Sequence, residues 1–460
     1  MASRNLRTPK DNFKTYEGAK AMRLTPEQRL RRSVMSCLLW EKEFYEDGEK
    51  AADRILELIP QVDPETVGAM AIEARTEMNL RHVPLLLIIG MIKTPSHRKH
   101  VARTIAAVIS RPDELSELLT LYFDGKKKPL AAQLKAGLAA AFTKFNAYQL
   151  AKWDKPKEIR LKDVMFLCHP KPKDDEQAKT FKQLASGTLP TPDTWEVALS
   201  TGAESKKDSW TRLLKEKKLG AMALLRNLRN MEEANVERSL VREAVATISD
   251  NRVLPFRYIA AARYVPQLEN VLEQGMLNGL STHRKLYGKT VLLVDVSGSM
   301  DQKLSAKSDI NRLDAACGLA MLLREICEDV EIYTFSLKLV QIAPRRGFAL
   351  RDAIVNSQAH SGTYLGASVN AVYAEKGTSD RFKGYYSGHL TFKGQGLRPD
   401  RLIAITDEQS NDQVPSPNGV GYMLNVASNK NGVGYGPWTH VDGFSESVIR
   451  FVQELEDNNY

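Results

Sequence analysis

The spacing of hydrophobic residues in this 460-residue chain changes once, near residue 286. Before it, apolar residues recur every three or four positions. After it, short continuous β-rich runs alternate with helical stretches. Two periods call for two kinds of core, one of helix faces and one built on a sheet. The helical part carries its own start signals. Thr25-Pro26-Glu27-Gln28 has Thr at N-cap, Pro at the first helical position and Gln at the third, the pattern of a capping box. Asp63-Pro64-Glu65 and Thr191-Pro192-Asp193 repeat that logic. Ala51, Ile55, Leu58 and Ile59 form one stripe, and Val67, Met70, Ala71 and Ala74 the next; residues 85–92, 101–109 and 115–122 continue the series. Successive amphipathic helices on short links pair antiparallel, and a long series of pairs makes an α-solenoid with a concave surface suited to an extended ligand. No repeat of fixed period is visible, so the repeats are degenerate; an irregular helical bundle is the alternative.

The second part reads as a doubly wound, mostly parallel α/β sheet. Residues 290–294 (TVLLV) form a run suited to a strand buried on both faces. A helix follows over 312–327, then strands at 330–335 and 338–342, helices at 348–356 and 365–374, strands at 402–406 and 421–426, a short strand at Val441 and a terminal helix over 446–456. Residues 376–399 are a Gly-, Tyr- and Lys-rich insertion, a long loop or small hairpin. The expected division is therefore 1–285, helical, and 286–460, α/β.

Charge divides at the same place. The whole chain carries 65 Lys+Arg and 56 Asp+Glu. Residues 286–460 hold 17 and 20 of these and residues 1–285 hold 48 and 36, so a net of +12 lies in the helical part and −3 in the other. A basic unit beside a slightly acidic one points to a polyanion partner for the first alone; a solvated Lys-rich helical surface would show the same charge. Four Cys (Cys37, Cys168, Cys317, Cys327) with no CxxC pair exclude a disulfide scaffold and a zinc ribbon. The longest apolar run, 84–92, ends at Lys93 and is far short of the ~20 residues that span a bilayer. No apolar signal core opens the chain, and a cytoplasmic protein without membrane attachment is expected.

The sharpest motif is Asp295-Val296-Ser297-Gly298-Ser299, directly after the buried strand. In an open α/β sheet, ligands bind at the carboxyl ends of strands. Asp295, Ser297 and Ser299 alternate, so an extended loop points all three one way. Thr363, heading a helix, and Asp407, ending a strand, occupy matching places. Two carboxylates and three hydroxyls are hard oxygen donors, with no soft ligand among them, as a magnesium-like ion requires. The alternative is that the serines merely cap a turn. Hydrolysis at such a metal needs a general base; Asp301, Glu408 and His360 are near in sequence, yet no His/Glu pair has a diagnostic spacing. The D-x-S-x-S motif with its downstream Thr and Asp resembles the metal-ion-dependent adhesion site of von Willebrand factor A domains. That resemblance implies a divalent cation, magnesium first and manganese or calcium next, whose open position takes an acidic oxygen from a protein partner.

Residues 152–173 are the densest cationic stretch. Lys152, Lys155, Lys157, Arg160, Lys162, Lys171 and Lys173 face Asp154, Glu158 and Asp163, interleaved with Trp153, Phe166 and His169. Cations supply phosphate contacts, and aromatic planes stack on unpaired bases; a Lys-rich loop around a core Trp is the plainer reading. Residues 161–172 (LKDVMFLCHPKP) resemble a segment of Ro ribonucleoproteins in which a Lys-Asp helix start leads to a His before Lys-Pro. Residues 223–230 (ALLRNLRN) are similar to the most recognisable stretch of the TROVE module of that family, and 254–257 (LPFR) to its Pro-Phe strip. The family also carries a C-terminal von Willebrand A domain, so the resemblance spans nearly the whole chain, in the bacterial or phage form.

The resemblance implies a ring-shaped α-solenoid of degenerate HEAT-like repeats, closed by a Rossmann-like von Willebrand A domain. It implies a non-enzymatic, monomeric RNA-binding protein. A basic outer surface would hold Y-RNA-like non-coding RNA, and a central hole would admit the single-stranded 3′ end of misfolded or decaying RNA, in quality control or processing with an exoribonuclease. His169 falls on the family's Y-RNA-contacting His and Lys152 on its upstream Lys; a second upstream cation falls on Pro156, with Lys155 or Lys157 as substitutes. Arg160, Lys162 and Lys171 complete the expected RNA-contacting set. Arg226 and Arg229 either line the hole or pair internally, and so apolar a helix favours a structural part for them. The alternative function is a metal-dependent protein-interaction scaffold; a metal nuclease has the least support.

Overall fold

The computed structural model describes residues 25–36, 48–78, 80–126, 128–200, 204–248, 253–281, 283–304, 309–384, 388–427, 432–433 and 436–442, with Val452 and Glu456. The helical part opens with α1 (Pro26–Ser36), α2 (Gly48–Leu58), α3 (Pro64–Thr76), α4 (His82–Lys93) and α5 (Arg98–Val108). It continues with α6 (Pro112–Phe123), α7 (Ala132–Phe142), α8 (Ala147–Trp153), α9 (Leu161–Cys168) and α10 (Asp175–Ser186). After a linker come α11 (Trp195–Ser200), α12 (Lys206–Lys215), α13 (Ala221–Glu233), α14 (Arg238–Ala246), α15 (Pro255–Tyr264) and α16 (Glu269–Leu280).

Local chemistry sets the starts. Thr25 and Gln28 exchange backbone-to-side-chain hydrogen bonds in both directions, 3.2 and 3.0 Å, closing the expected capping box. Asp63 accepts from the amides of Glu65 and Thr66 at 2.9 and 3.0 Å, and these bonds hold its carboxyl below the usual range. The start expected at Thr191 lies three residues later. Thr194 instead caps α11, accepting from the Val197 amide at 3.3 Å. A Thr-Pro pair sets an extended backbone equally well, and here it does so in the linker.

The helices stack in two layers, each helix against the next but one. α3, α5, α7 and α9 form one layer, and α2, α4, α6 and α8 the other. This is solenoid packing, in which every pair covers its neighbour's apolar face. Ile55, Leu58, Ile59, Val67, Met70, Ala71 and Ala74 are all buried within it, as their spacing predicts. Gly137 shows how close neighbouring helices of one layer come: a Cβ there would lie 2.8 Å from that of Ile105 on α5.

The α/β part holds β1 (Leu286–Asp295), α17 (Arg312–Ile326), β2 (Cys327–Phe335), β3 (Leu339–Gln341), α18 (Gly347–Val355) and α19 (Leu365–Tyr373). β4 (Ser379–Gly384), β5 (Gly388–Lys393), β6 (Arg401–Thr406), β7 (Val420–Asn425) and β8 (Thr439–Asp442) follow. Six strands form one sheet in the order β3-β2-β1-β6-β7-β8, parallel except for β3 at its edge. Both faces are covered, so β1 is buried from Thr290 onward and β6 throughout. β4 and β5 pair only with each other, so the 376–399 insertion is a hairpin. The terminal helix expected over 446–456 lies outside the described residues, save Val452 and Glu456.

Secondary structure changes between Leu280 and Leu286, but the cores divide elsewhere. One core runs from Leu30 to Leu184 and belongs to α1–α10. A second joins α12–α16 to α17, α18 and one face of the sheet. α12, α14 and α16 continue one solenoid layer, and α13, α15 and α17 the other. The first helix of the α/β part thus takes the next solenoid place. Gly318 allows it, since a Cβ there would lie 3.0 Å from the Phe256 backbone nitrogen. Arg263 on α15 donates to Asp314 at 2.6 Å, and Glu273 on α16 accepts from the Phe348 amide at 2.7 Å, capping α18. At the other end of the series α1 packs on β8. The helical arc therefore begins and ends on the α/β part, which closes it into a ring.

Candidate metal centre and nucleic-acid interface

The oxygen-rich motif sits where β1 and β6 deliver their last residues to one edge of the sheet. Asp295 ends β1 and Asp407 follows β6, in register through Val294 and Ile405. The loop after β1 is shaped by its own side chains. The Ser297 amide donates to Asp295 Oδ1 at 2.8 Å, and the Ser297 and Ser299 hydroxyl oxygens lie 3.3 Å apart. The Gly298 amide donates to the Ser361 carbonyl at 2.9 Å, which fastens this loop to the one bearing Thr363. Thr363 is held in turn by Asn411, whose amide donates to its carbonyl at 2.7 Å and whose side chain accepts from its amide at 2.5 Å. The five expected donors are thus carried on three loops that are tied to one another. Asp295 and Asp407 are wholly buried, and Ser297 and Thr363 nearly so.

Two buried carboxylates in one pocket repel. Burial and the charge of Asp407 push Asp295 up to about 7, against hydrogen bonds from Ser297 and Thr406 that pull it down. Thr406 Oγ1 donates to Asp295 Oδ2 at 2.6 Å. Buried Arg312, opening α17, places Nη1 3.5 Å from Asp407 Oδ2 and donates to the Ser299 carbonyl at 3.4 Å. The donor chemistry, hard oxygens with two carboxylates forced together, fits a divalent cation. Asp295, Ser297, Ser299, Thr363 and Asp407 are the residues that would hold it. Among the described residues no three His, Cys, Asp or Glu converge as a metal site, so the Ser297, Ser299 and Thr363 hydroxyls would have to complete the set.

The neighbouring acids are committed elsewhere. His360 Nδ1 lies 2.8 and 2.9 Å from the two Asp301 oxygens, with Nε2 3.0 Å from the Val355 carbonyl. Glu408, in a left-handed conformation (φ 61°), points away into a buried cluster. There it accepts from Arg32 of α1 at 2.9 Å and contacts His440 Nε2. A motif reading could not find Arg32, because 376 positions separate it from Glu408.

The basic segment forms the α8–α9 corner. Asn146 and Gln149 cap α8 reciprocally at 2.9 and 3.0 Å, and Asp163 Oδ2 accepts from the Arg160 amide at 2.8 Å to start α9. Trp153 sits half-buried at the corner. Arg111 stacks 3.8 Å over its ring, with the Lys152 and Lys155 ammonium groups each 5.7 Å from the centroid. Lys157 pairs with Glu117 at 3.2 Å and Arg160 with Asp154 at 2.6 Å, so these two also stabilise the corner. His169 is exposed in the left-handed position that ends α9, its amide donating to the Met165 carbonyl at 2.9 Å. Lys171 is exposed and Lys162 half-buried. Phe166 is 58% exposed and Tyr148 51%, unusual for aromatic side chains with a core to enter. Arg111 and Tyr148 lie outside the basic segment. Arg111 becomes visible only when α6 and α8 meet.

A second cationic pair lies on α13 and α15. Arg229 is engaged, bonded to Glu233 at 2.9 Å and 5.7 Å from the Tyr264 ring centroid, in line with a structural part. Arg226 and Arg257 differ. Both side chains reach the surface, and among the described residues neither forms an ion pair. Burial by surrounding protein, with the Arg226 charge nearby, lowers the pKa of Arg257. The two guanidiniums are thus near enough for the charge of one to act on the other.

Three comparisons bear on this architecture. The TROVE domain family matches residues 33–188 and 186–316, and its internal break falls where the two helical cores part. Telomerase protein component 1 of Rattus norvegicus is 26% identical over 136 residues, 28% of this chain and 5% of that protein. Its Mus musculus counterpart is 28% identical over 110 residues, 23% and 4%. The chain thus matches only a small part of these long relatives. The crystal structure of the Ro (RSR) protein of Deinococcus radiodurans superposes with a TM-score of 0.60 at 17% identity, covering 92% of this chain and 98% of that one; this likeness shows the fold. No described helix is long and apolar enough to cross a membrane. With TROVE matches running over more than half its length, this chain belongs to the TROVE domain family.

Proposed function

We propose that this protein holds structured, Y-RNA-like non-coding RNA on the α8–α9 corner and takes a single-stranded 3′ end into the centre of the ring. It would thereby act in quality control or exoribonuclease-linked processing of misfolded RNA. The observation that carries this reading is the corner itself. Lys152 and Lys155 lie beside half-buried Trp153, and Phe166, His169 and Lys171 are exposed on α9 and just after it, offering phosphate contacts and stacking planes. Lys157, Arg160 and Lys162 complete the face, the first two through ion pairs that phosphates could exchange. Arg226 and Arg257, two exposed cations near one another, suit a strand's phosphates. Filter binding of a structured RNA with a single-stranded tail should give a clearly negative slope of log affinity against log salt. A flat slope would overturn the proposal.

The oxygen-ligand centre favours a second reading, compatible with the first: a magnesium-dependent protein-interaction site held by Asp295, Ser297, Ser299, Thr363 and Asp407, whose partner supplies an acidic oxygen. Asp295→Ala should then abolish partner capture and leave RNA affinity largely unchanged.

A further inference from the structure

The β4–β5 hairpin has no part in either site, yet its charge departs from that of the domain that carries it. Residues 376–399 hold five Lys/Arg and one Asp, whereas the rest of 286–460 holds 12 and 19. The register sorts these residues onto two faces. Asp380 pairs with Phe392 and Phe382 with Leu390; Ser379 pairs with Lys393, Arg381 with Thr391 and Lys383 with His389. Leu390 and Phe392 are buried against Tyr364, Ala367 and Ala371 of α19 and its entry. The opposite positions, among them Arg381, His389, Thr391 and Lys393, are exposed and include no carboxylate. Among the described residues Arg381 and Lys393 form no ion pair, so their charge is not spent within the fold.

The hairpin is also fixed in direction. Its base is tied to the end of α19, where the Gln395 and Gly396 amides donate to the Ala371 and Ala374 carbonyls at 2.8 and 2.7 Å. Phe392 meets the Tyr364 ring, centroids 6.4 Å apart, at the other end of that helix. Tyr364 directly follows Thr363. Five residues of strand extend about 17 Å, and α19 rises about 12 Å over its length. The paired strands therefore lie along α19, from its end back to Tyr364 beside Thr363.

We propose that the outer face of this hairpin is a docking arm for an acidic protein segment, one carboxylate of which reaches the metal centre while flanking acids lie along Arg381, His389 and Lys393. This rests on the second reading above. The charge favours a short acidic segment over RNA. A polyanion long enough to track the domain would meet the surplus of seven acids elsewhere on it, whereas a short segment meets only the cationic strip.

The test uses the full chain and two labelled probes, an oligoglutamate peptide and an oligouridylate of equal length, read by anisotropy with magnesium and with EDTA. The expected result is magnesium-dependent binding of the peptide. Arg381→Glu with Lys393→Glu should weaken it about tenfold or more, consistent with reversing two exposed charges, and should leave oligouridylate binding unchanged. Loss of oligouridylate with peptide unaffected would assign the arm to RNA and overturn the proposal. Peptide binding that is absent, or indifferent to the double reversal, would overturn it too. Peptide binding that falls with the reversal yet ignores magnesium and Asp295→Ala would keep the arm and remove the metal reading.

Discussion

Arg32 and Glu408 lie 376 positions apart and meet at 2.9 Å, both wholly or almost wholly buried. One belongs to the first helix of the solenoid and the other to the loop after β6, next to Asp407. His440 Nε2 lies 3.2 Å from the same guanidinium. Gly432 makes room, since a Cβ there would fall 2.2 Å from Glu408 Oε2 and 2.5 Å from Arg32 Nη1. This buried ion pair is the seam at which the ring closes. Removing one member of such a pair leaves a charge in a dry site and typically costs about 3–5 kcal/mol. Arg32→Met should therefore destabilise the protein by that order in urea unfolding and speed amide exchange in residues 25–36. A loss below about 1 kcal/mol would show that the seam is held by other contacts.

The buried Asp295–Asp407 pair predicts a definite pH sign. Asp295 stands near 7 in the folded protein against 3.8 in an ordinary carboxyl. A raised pKa contributes stability that is complete below 3.8 and is lost as pH rises through about 7. Metal-free protein should thus weaken from pH 5.5 to pH 8, and magnesium should raise the melting temperature more at pH 8. Asp295→Asn should relieve the repulsion, stabilise the metal-free protein at pH 8 and abolish the magnesium response. An equal magnesium shift at both pH values would refute the coupling of Asp295 to Asp407.

How far these sites were legible in the sequence follows from their contact range. The places of Asp295 and Asp407 at strand ends and of Thr363 just before α19 were legible, because local context fixes them. The capping boxes at Thr25 and Asp63 are local too. Thr191 misled because Thr-Pro marks an extended backbone whether or not a helix follows at once. The division of cores was hidden, since α17 joins the solenoid through packing at Gly318 and Phe256, which no period reveals. Arg32, Arg111 and the inner face of the hairpin were hidden for the same reason: their partners are chosen by the fold.

The α8–α9 corner should separate two kinds of RNA. Lys152→Ala with His169→Ala should weaken structured, Y-like RNA more than a tailed single strand, and one lost phosphate contact should change the salt slope by about one unit at most. Phe166→Ala should cost about 1–3 kcal/mol if a base stacks there, with little loss of stability because the ring is exposed. Equal losses for both RNAs would refute separate sites.

The reciprocal prediction concerns Arg226 on α13 and Arg257 on α15. Arg226→Gln with Arg257→Gln removes two neighbouring cations that repel one another, so the protein should be no less stable in urea. Oligouridylate affinity should fall and its salt slope should shrink by up to about two units, while structured RNA without a tail should bind as before. Arg229→Gln is the control. Its guanidinium is already paired with Glu233 at an exposed i, i+4 spacing, so it should leave single-strand affinity nearly unchanged. If Arg229→Gln weakens the strand as much as the Arg226/Arg257 pair does, that pair holds no special place and the loss is general helix charge. If neither change touches oligouridylate, single strands enter by another route, and the two cations without ion-pair partners must be explained by a different anion.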